Sequence, residues 1–263
     1  MTLHPSDDIG LLYRRIRGCA RQIAARFPAP EFYTAFPREH AFSRRFFEFD
    51  PVVQAIRRVA IQELSDDFGH GLPHADKVSL DAGALLIIEC RRAGFPLDRI
   101  RRWLRLAHCA GLIHDIRRKE ADHAVAGFEY ARRLLRPSGL FTPSDVDAIC
   151  GAILNHEAFK KTAPMRGVKA RMISNCLYDA DKFRWGCDNF TDTVWLMVTH
   201  LRMPFPDFLA RYPAGMAKIA NIKETFRTDA GKSYGPSVID TGLSVGRILY
   251  ERLRHDFRHR AAP

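Results

Sequence analysis

The apolar residues of this chain recur at helical spacing, and several of those stripes end on an ionisable side chain. Ile100, Leu104, Ala107, Gly111 and His114 follow one another at steps of 4, 3, 4 and 3, so an imidazole continues the buried face of a helix. His123 aligns in the same way with Ala126, Gly127, Tyr130 and Leu134, and His156 with Val146, Ile149 and Ile153. Asp181 follows Ile173, Leu177 and Ala180, while His74 shares a face with Val78 and Leu85, and with Asp81. Burying a polar group without a partner costs roughly 2 to 7 kcal/mol, so such residues on five separate helices need something that satisfies them together. A divalent metal does so, and a donor set of imidazole and carboxylate without thiolate suits catalytic iron, manganese or zinc rather than structural zinc. His108 falls instead with Arg101 and Arg105 on the opposite, charged face, which predicts a surface histidine.

Strand-type alternation is absent, and the class predicted is all-α. Residues 1 to 50 form an N-terminal extension: one amphipathic helix carrying Leu12, Ile16, Cys19, Ile23 and Phe27, then a stretch rich in Pro and aromatics, FPAPEFYTAFPREHAFSRRFFEFD, that docks on the main core. Residues 51 to 188 form the core. Pro73 opens a helix that runs to Arg92 and stops at Gly94; another leads from Pro96 to His114; a third spans Glu120 to Leu135. Thr142 or Ser144 caps a fourth that ends near His156, and a fifth covers Gly167 to about Arg184. Residues 189 to 263 form a C-terminal extension packing on the core, with a helix near Thr191 to Leu201, a Pro-rich turn, a helix from about Pro236 to Phe257 and a fraying basic tail.

Lys and Arg number 41 against 30 Asp and Glu, a net charge of +11, which favours an anionic partner such as a phosphorylated metabolite or nucleic acid. No window is long and apolar enough for a membrane span, and MTLHPSDDIG lacks the order of a secretory signal, so a cytoplasmic protein is expected. The six cysteines include no Cys-x-x-Cys pair and are expected as buried, reduced thiols. Oligomeric state is left open by the sequence.

The order of these residues resembles the H…HD…D arrangement of the HD-domain metal-dependent phosphohydrolase superfamily. HGLPHADKV, from His70 to Val78, is similar to the segment of that family's first histidine, AGLIHDI to its His-Asp helix and LYDADKF to its last-aspartate helix. The resemblance covers about residues 60 to 188. It implies an HD-type helical bundle with added terminal helices, and a metal held by His74, His114, Asp115 and Asp181. Asp179 competes with Asp181, which is preferred as the acid of an Ala-Asp-Lys triplet. His123 and His156 resemble the extra histidines of the subset that binds two ions, with Asp115 shared between the ions. The alternative is one ion, with His123 and His156 meeting substrate phosphate. Arg117 departs from the family, where many relatives have Gly.

The resemblance implies hydrolysis of a phosphomonoester or phosphodiester by metal-activated water, with a nucleotide or another small phosphorylated metabolite as substrate. Lys119 and Lys182, nearest in sequence to the expected ligands, lead a set of cations for the phosphate that includes Lys160, Lys161, Arg166 and Lys169. His70 is a candidate to assist His74, but the intervening Gly71 and Pro73 favour a loop. A second pair, His255-Asp256, lies among arginines without an apolar stripe and reads as a charged helix end. Two rival readings remain: a non-catalytic module binding nucleotide or nucleic acid, which lacks any recognisable nucleic-acid motif, and an iron-dependent oxygenase on the same scaffold.

Overall fold

A computed structural model describes residues 9–64 and 69–261, with side chains through Asp256. His4 and most of the N-terminal decapeptide lie outside the described residues. Among those described there are twelve α-helices and no strand, in line with the all-α class. Apolar residues from Tyr13 to Leu253 form one continuous buried cluster.

Two helices set the frame, α5 (Leu72–Arg92) and α6 (Leu97–Ile113). Pro73 lies in the first turn of α5, where its missing N–H leaves no hydrogen bond unmade, and Gly94 beyond its end takes φ 72°. The helices cross where Gly111 meets Ser79: a Cβ on Gly111 would stand 2.6 Å from the Ser79 Cα. Only a residue without a side chain permits that backbone contact, and it brings the start of α5 beside the end of α6. On the other side pack α8 (Pro143–Leu154), opened by a reciprocal Thr142–Asp145 capping box, and α9 (Gly167–Phe183). Between α6 and α8 the chain makes a run of turns and then α7 (His123–Leu135), which begins at His123 rather than Glu120 and ends through Gly139 at φ 67°.

The aromatic stretch folds into α2 (Glu31–Ala35) and α3 (Pro37–Phe49) and is followed by α4 (Pro51–Glu63). It docks on its own chain: Phe32 is fully buried, and the Ser43 hydroxyl donates to the Leu80 carbonyl of α5 at 2.8 Å. Asp50 accepts from the N–H groups of Val52 and Val53, capping α4, and pairs with Arg105 of α6 at 2.7 Å. These contacts cover the face of α6 that its charges had marked as exposed. His108 is therefore wholly buried, against the surface position predicted for it, with the rings of Phe46 and Phe47 at 6.0 and 5.4 Å. Burial holds it neutral, lowering it to about 4.

The terminal segments meet each other. The first helix, α1 (Ile9–Ala24), packs on α12 (Asp229–Ala261) and α10 (Val194–His200); its Tyr13 hydroxyl donates to the Met203 carbonyl at 2.7 Å, and Arg17 pairs with Asp192 at 2.6 Å. Two expectations fail here. The Pro-rich turn contains a 16-residue helix, α11 (Phe205–Ala220), because Pro206 occupies its first turn and only Pro213 interrupts it. The last helix starts at Asp229 rather than near Pro236, which lies inside it, and extends to Ala261. Its N-terminus is held from outside, by a carboxylate described below. All six cysteines are unpaired thiols, five of them buried and Cys187 partly so. Among the described residues no helix is long and apolar enough to cross a membrane.

Gly111→Ala forces α5 and α6 apart at backbone level, and it is expected to destabilise the fold by about 1 to 3 kcal/mol, read as a lower urea midpoint. An unchanged midpoint would show that the crossing tolerates a side chain.

Candidate metal centre

Five elements deliver one side-chain cluster to the same end of the bundle. His74 comes from the first turn of α5, His114 and Asp115 follow α6, His123 opens α7, His156 follows α8 and Asp181 lies in the last turn of α9. All six are buried, with exposures from 0% at His114 to 7% at His74 and His123.

Two of the rings are fixed by the backbone just before them. His114 Nδ1 donates to the Gly111 carbonyl at 2.8 Å, and His156 Nδ1 donates to the Ile153 carbonyl at 2.6 Å. A carbonyl only accepts, so in the neutral ring the proton sits on Nδ1 and the Nε2 lone pair points into the cluster. The same i−3 carbonyl at the end of two helices does both jobs.

Around Asp115 the donors divide into two groups. Its Oδ2 lies 3.3 Å from His114 Nε2 and 3.7 Å from His74 Nε2, and those two nitrogens stand 3.7 and 3.4 Å from Asp181 Oδ1. Its Oδ1 lies 3.3 Å from His156 Nε2 and 3.6 Å from His123 Nε2, which are 3.2 Å from each other. The candidate ligand atoms of His74, His114 and Asp181 lie within 4.8 Å of one another, and so do those of Asp115, His123 and His156. Asp115 Oδ1 accepts no hydrogen bond from the protein although it is buried.

The electrostatics favour a cation. Burial opposes charge on His114, yet Asp115 and Asp181 beside it raise it to about 10, while the adjacent His74 is lowered to about 4 by burial. Burial likewise works against ionised Asp115 and Asp181, but the histidines, and for Asp181 Lys182, hold both well below the usual carboxylate range. Two ionised carboxylates among convergent imidazole lone pairs, without thiolate, fit a divalent transition metal.

His70, expected in a loop, also lies in the cluster. Its Nδ1 is 2.7 Å from Asp115 Oδ2, without the alignment of a hydrogen bond, and it groups with His74 and Asp115 as a possible ligand. Gly69, at φ 74°, lies against the Thr193 backbone, where a Cβ would come within 2.8 Å of the Thr193 Cα, and so fixes the approach of His70. The His70-to-His74 spacing is the one sequence signal that pointed here.

The predicted cations part company. Exposed Lys119 lines a recess of about 140 Å³ with His70, Asp115 and Arg118. Lys182 is 3% exposed and donates to Asp181 Oδ2 at 2.5 Å, with its ammonium over the rings of Tyr178 and Trp185. It orients and neutralises Asp181 rather than facing a substrate. Lys169 pairs with Asp145, and Lys160, Lys161 and Arg166 lie exposed elsewhere. Arg117 lies over the Tyr130 ring near Glu63 and Glu120, whereas Arg118 donates to His123 Nε2 at 2.8 Å. The second pair, His255-Asp256, lies at the end of α12 with the histidine side chain 70% exposed.

Asp179 has a different task from Asp181. Its Oδ1 accepts from the Arg227 N–H, and its Oδ2 accepts from both the N–H and the hydroxyl of Thr228 at 2.7 Å. The Thr228 hydroxyl in turn accepts from Gly231 N–H, so Asp179 pins the start of α12 to α9. Burial raises Asp179 to about 6 against these hydrogen bonds.

Neither a protein-family model nor a curated protein matches the chain. Its fold is similar to the crystal structure, at 1.45 Å, of a predicted HD superfamily hydrolase from an uncultured Thermotogales bacterium. That similarity covers 77% of this chain and 90% of the other, at 22% identity and a TM-score of 0.42.

The two aspartates are separable by experiment. Asp179→Asn is expected to lower stability by about 1 to 3 kcal/mol while leaving metal content intact. Asp181→Asn should deplete metal with the helical spectrum retained; elemental analysis giving the reverse pattern would exchange their roles.

Proposed function

We propose that the chain is a metal-dependent phosphohydrolase of the HD superfamily, acting on a phosphomonoester or phosphodiester. The observation that carries this reading is Asp115, whose two oxygens each face a separate set of imidazole nitrogens. His74, His114, Asp181 and Asp115 Oδ2 would hold one ion; Asp115 Oδ1, His123 and His156 would hold a second. Bound divalent cations supply Lewis acidity and a water acidified toward neutral pH.

The remaining work falls to the chain itself. The Gly111 and Ile153 carbonyls keep His114 and His156 in the tautomer that presents Nε2, and Lys182 keeps Asp181 ionised and aimed inward. Arg118 and Lys119 line the recess beside Asp115 and set positive charge where a phosphoryl group would gather negative charge. Burial of the cluster strengthens these interactions by excluding water. One feature makes the two ion positions unequal. The His123 Nε2 lone pair serves Arg118 at 2.8 Å, so a second ion would have to displace that guanidinium and would bind more weakly than the first.

Elemental analysis and metal titration test the arrangement. The wild-type chain is expected to take up two equivalents of manganese or iron with unequal affinity. Asp115→Ala should lose both, together with metal-dependent phosphate release from p-nitrophenyl phosphate, and His156→Ala should keep one. A wild-type chain limited to one equivalent would leave the single-ion arrangement, in which His123, His156 and Arg118 meet the phosphate. Full metal loading of both His114→Ala and Asp115→Ala would sink the proposal.

A further inference from the structure

We infer that the substrate of this site is the phosphate ester of an apolar alcohol, whose hydrocarbon part lies in a cavity built by the C-terminal third of the chain; this rests on the phosphohydrolase reading above. The cavity measures about 430 Å³ and opens onto the metal centre, since His70, His74, Asp181 and Arg118 form part of its lining. That volume falls within the range of small-molecule sites. Arg118 and His70 also line the recess beside Asp115 and Lys119, so the polar recess and the apolar cavity meet at these two side chains.

Away from the cluster the wall is mainly hydrocarbon and thioether, from Phe190, Val194, Met197, Met203, Met216 and Ile219, with Arg211 and Lys218 of α11 also in the lining. Val194, Met197, Met203 and Met216 are only partly buried, so the cavity keeps apolar surface in contact with water. Methionine adapts its shape to flexible apolar ligands. Tyr212 gives its hydroxyl hydrogen to the Gly246 carbonyl at 3.0 Å, which leaves Asn189, Thr193 and the indole of Trp185 as the other uncharged polar groups of the lining. The wall also contains a π-helical turn, Asn189–Thr193, running into α10; such turns are rare and concentrate at functional sites.

The cavity is thus amphiphilic, with the candidate ligands and Arg118 at one end and a mainly apolar wall beyond, which Arg211 and Lys218 border. A phosphate ester of a medium-length aliphatic alcohol has the matching polarity. Its hydrolysis forms one P–O bond from water and breaks the P–O bond to the alcohol, which leaves protonated, so no further reactant is required.

Calorimetry with n-alkyl phosphonates from ethyl to octyl, on protein purified with its metal, tests the cavity without turnover. The dissociation constant is expected to fall about two- to fourfold per added methylene until the cavity is full, with a progressively more negative heat-capacity change. A dissociation constant that does not change with chain length overturns the inference and gives the apolar wall to some other occupant, such as a second copy of the chain. Met197→Gln is expected to weaken octyl phosphonate about tenfold; unchanged affinity places the hydrocarbon elsewhere and also overturns it. If that variant does not fold, Met216→Gln on the same wall takes its place. Phosphate release from n-octyl phosphate separates this inference from its premise. Chain-length-dependent affinity with no release from any ester sinks the hydrolase reading, and the ester as substrate with it, while the apolar subsite stands; release with length-independent affinity sinks the apolar subsite alone.

Discussion

Everything at the working end of this protein follows from the burial of Asp115. A carboxylate that is 4% exposed, with one oxygen accepting no hydrogen bond, survives only where positive charge compensates it. The chain arranges three helix ends and two helix starts so that imidazole nitrogens and a second carboxylate surround it. Carboxylates this deep are held ionised by their neighbours against the effect of burial, which is the electrostatic condition of a cation site. The interior accepts this cost because the donors do not stand alone: Lys182 backs Asp181, and backbone carbonyls back His114 and His156.

That cluster depends on helix contacts far simpler than itself. Gly111 lets α6 touch the Ser79 backbone of α5, and the same residue's carbonyl orients the His114 ring. One glycine therefore joins packing to ligand geometry. On the other flank, Asp179 ties the start of α12 to α9 two residues before Asp181, so the helix that carries the last ligand is also the anchor of the C-terminal segment. Gly69 packed on Thr193 closes the circuit, because it sets His70 against the segment that walls the apolar cavity. The terminal helices are thus coupled to the cluster.

Much of this was legible beforehand, for a physical reason. Helical periodicity is local, so the inward facing of His114, His123, His156 and Asp181 could be read along each helix in isolation. The stops at Gly94 and Gly139 and the cap at Thr142 are local too. What failed was information that other elements supply. His108 shares a face with arginines and was read as exposed; α3, laid across it from more than fifty residues away, buries it. Lys182 is adjacent to a ligand and was read as a phosphate contact, but its position on the helix turns it inward onto Asp181. Pro206 and Pro213 looked like a turn because a proline count does not show that the first of them sits harmlessly in an initial helical turn.

The sequence by itself determined the class, the helix faces and the set of buried donors, since each depends on spacing within one element or on residue chemistry. Only the tertiary structure decided how those donors divide around the two oxygens of Asp115, that His70 and Arg118 belong with them, that Asp179 is an anchor, and that a mainly apolar cavity opens onto the candidate metal centre. Those facts are distances between residues on different helices. They are fixed by how helices cross, and a crossing is a property of two packed surfaces that neither surface encodes alone.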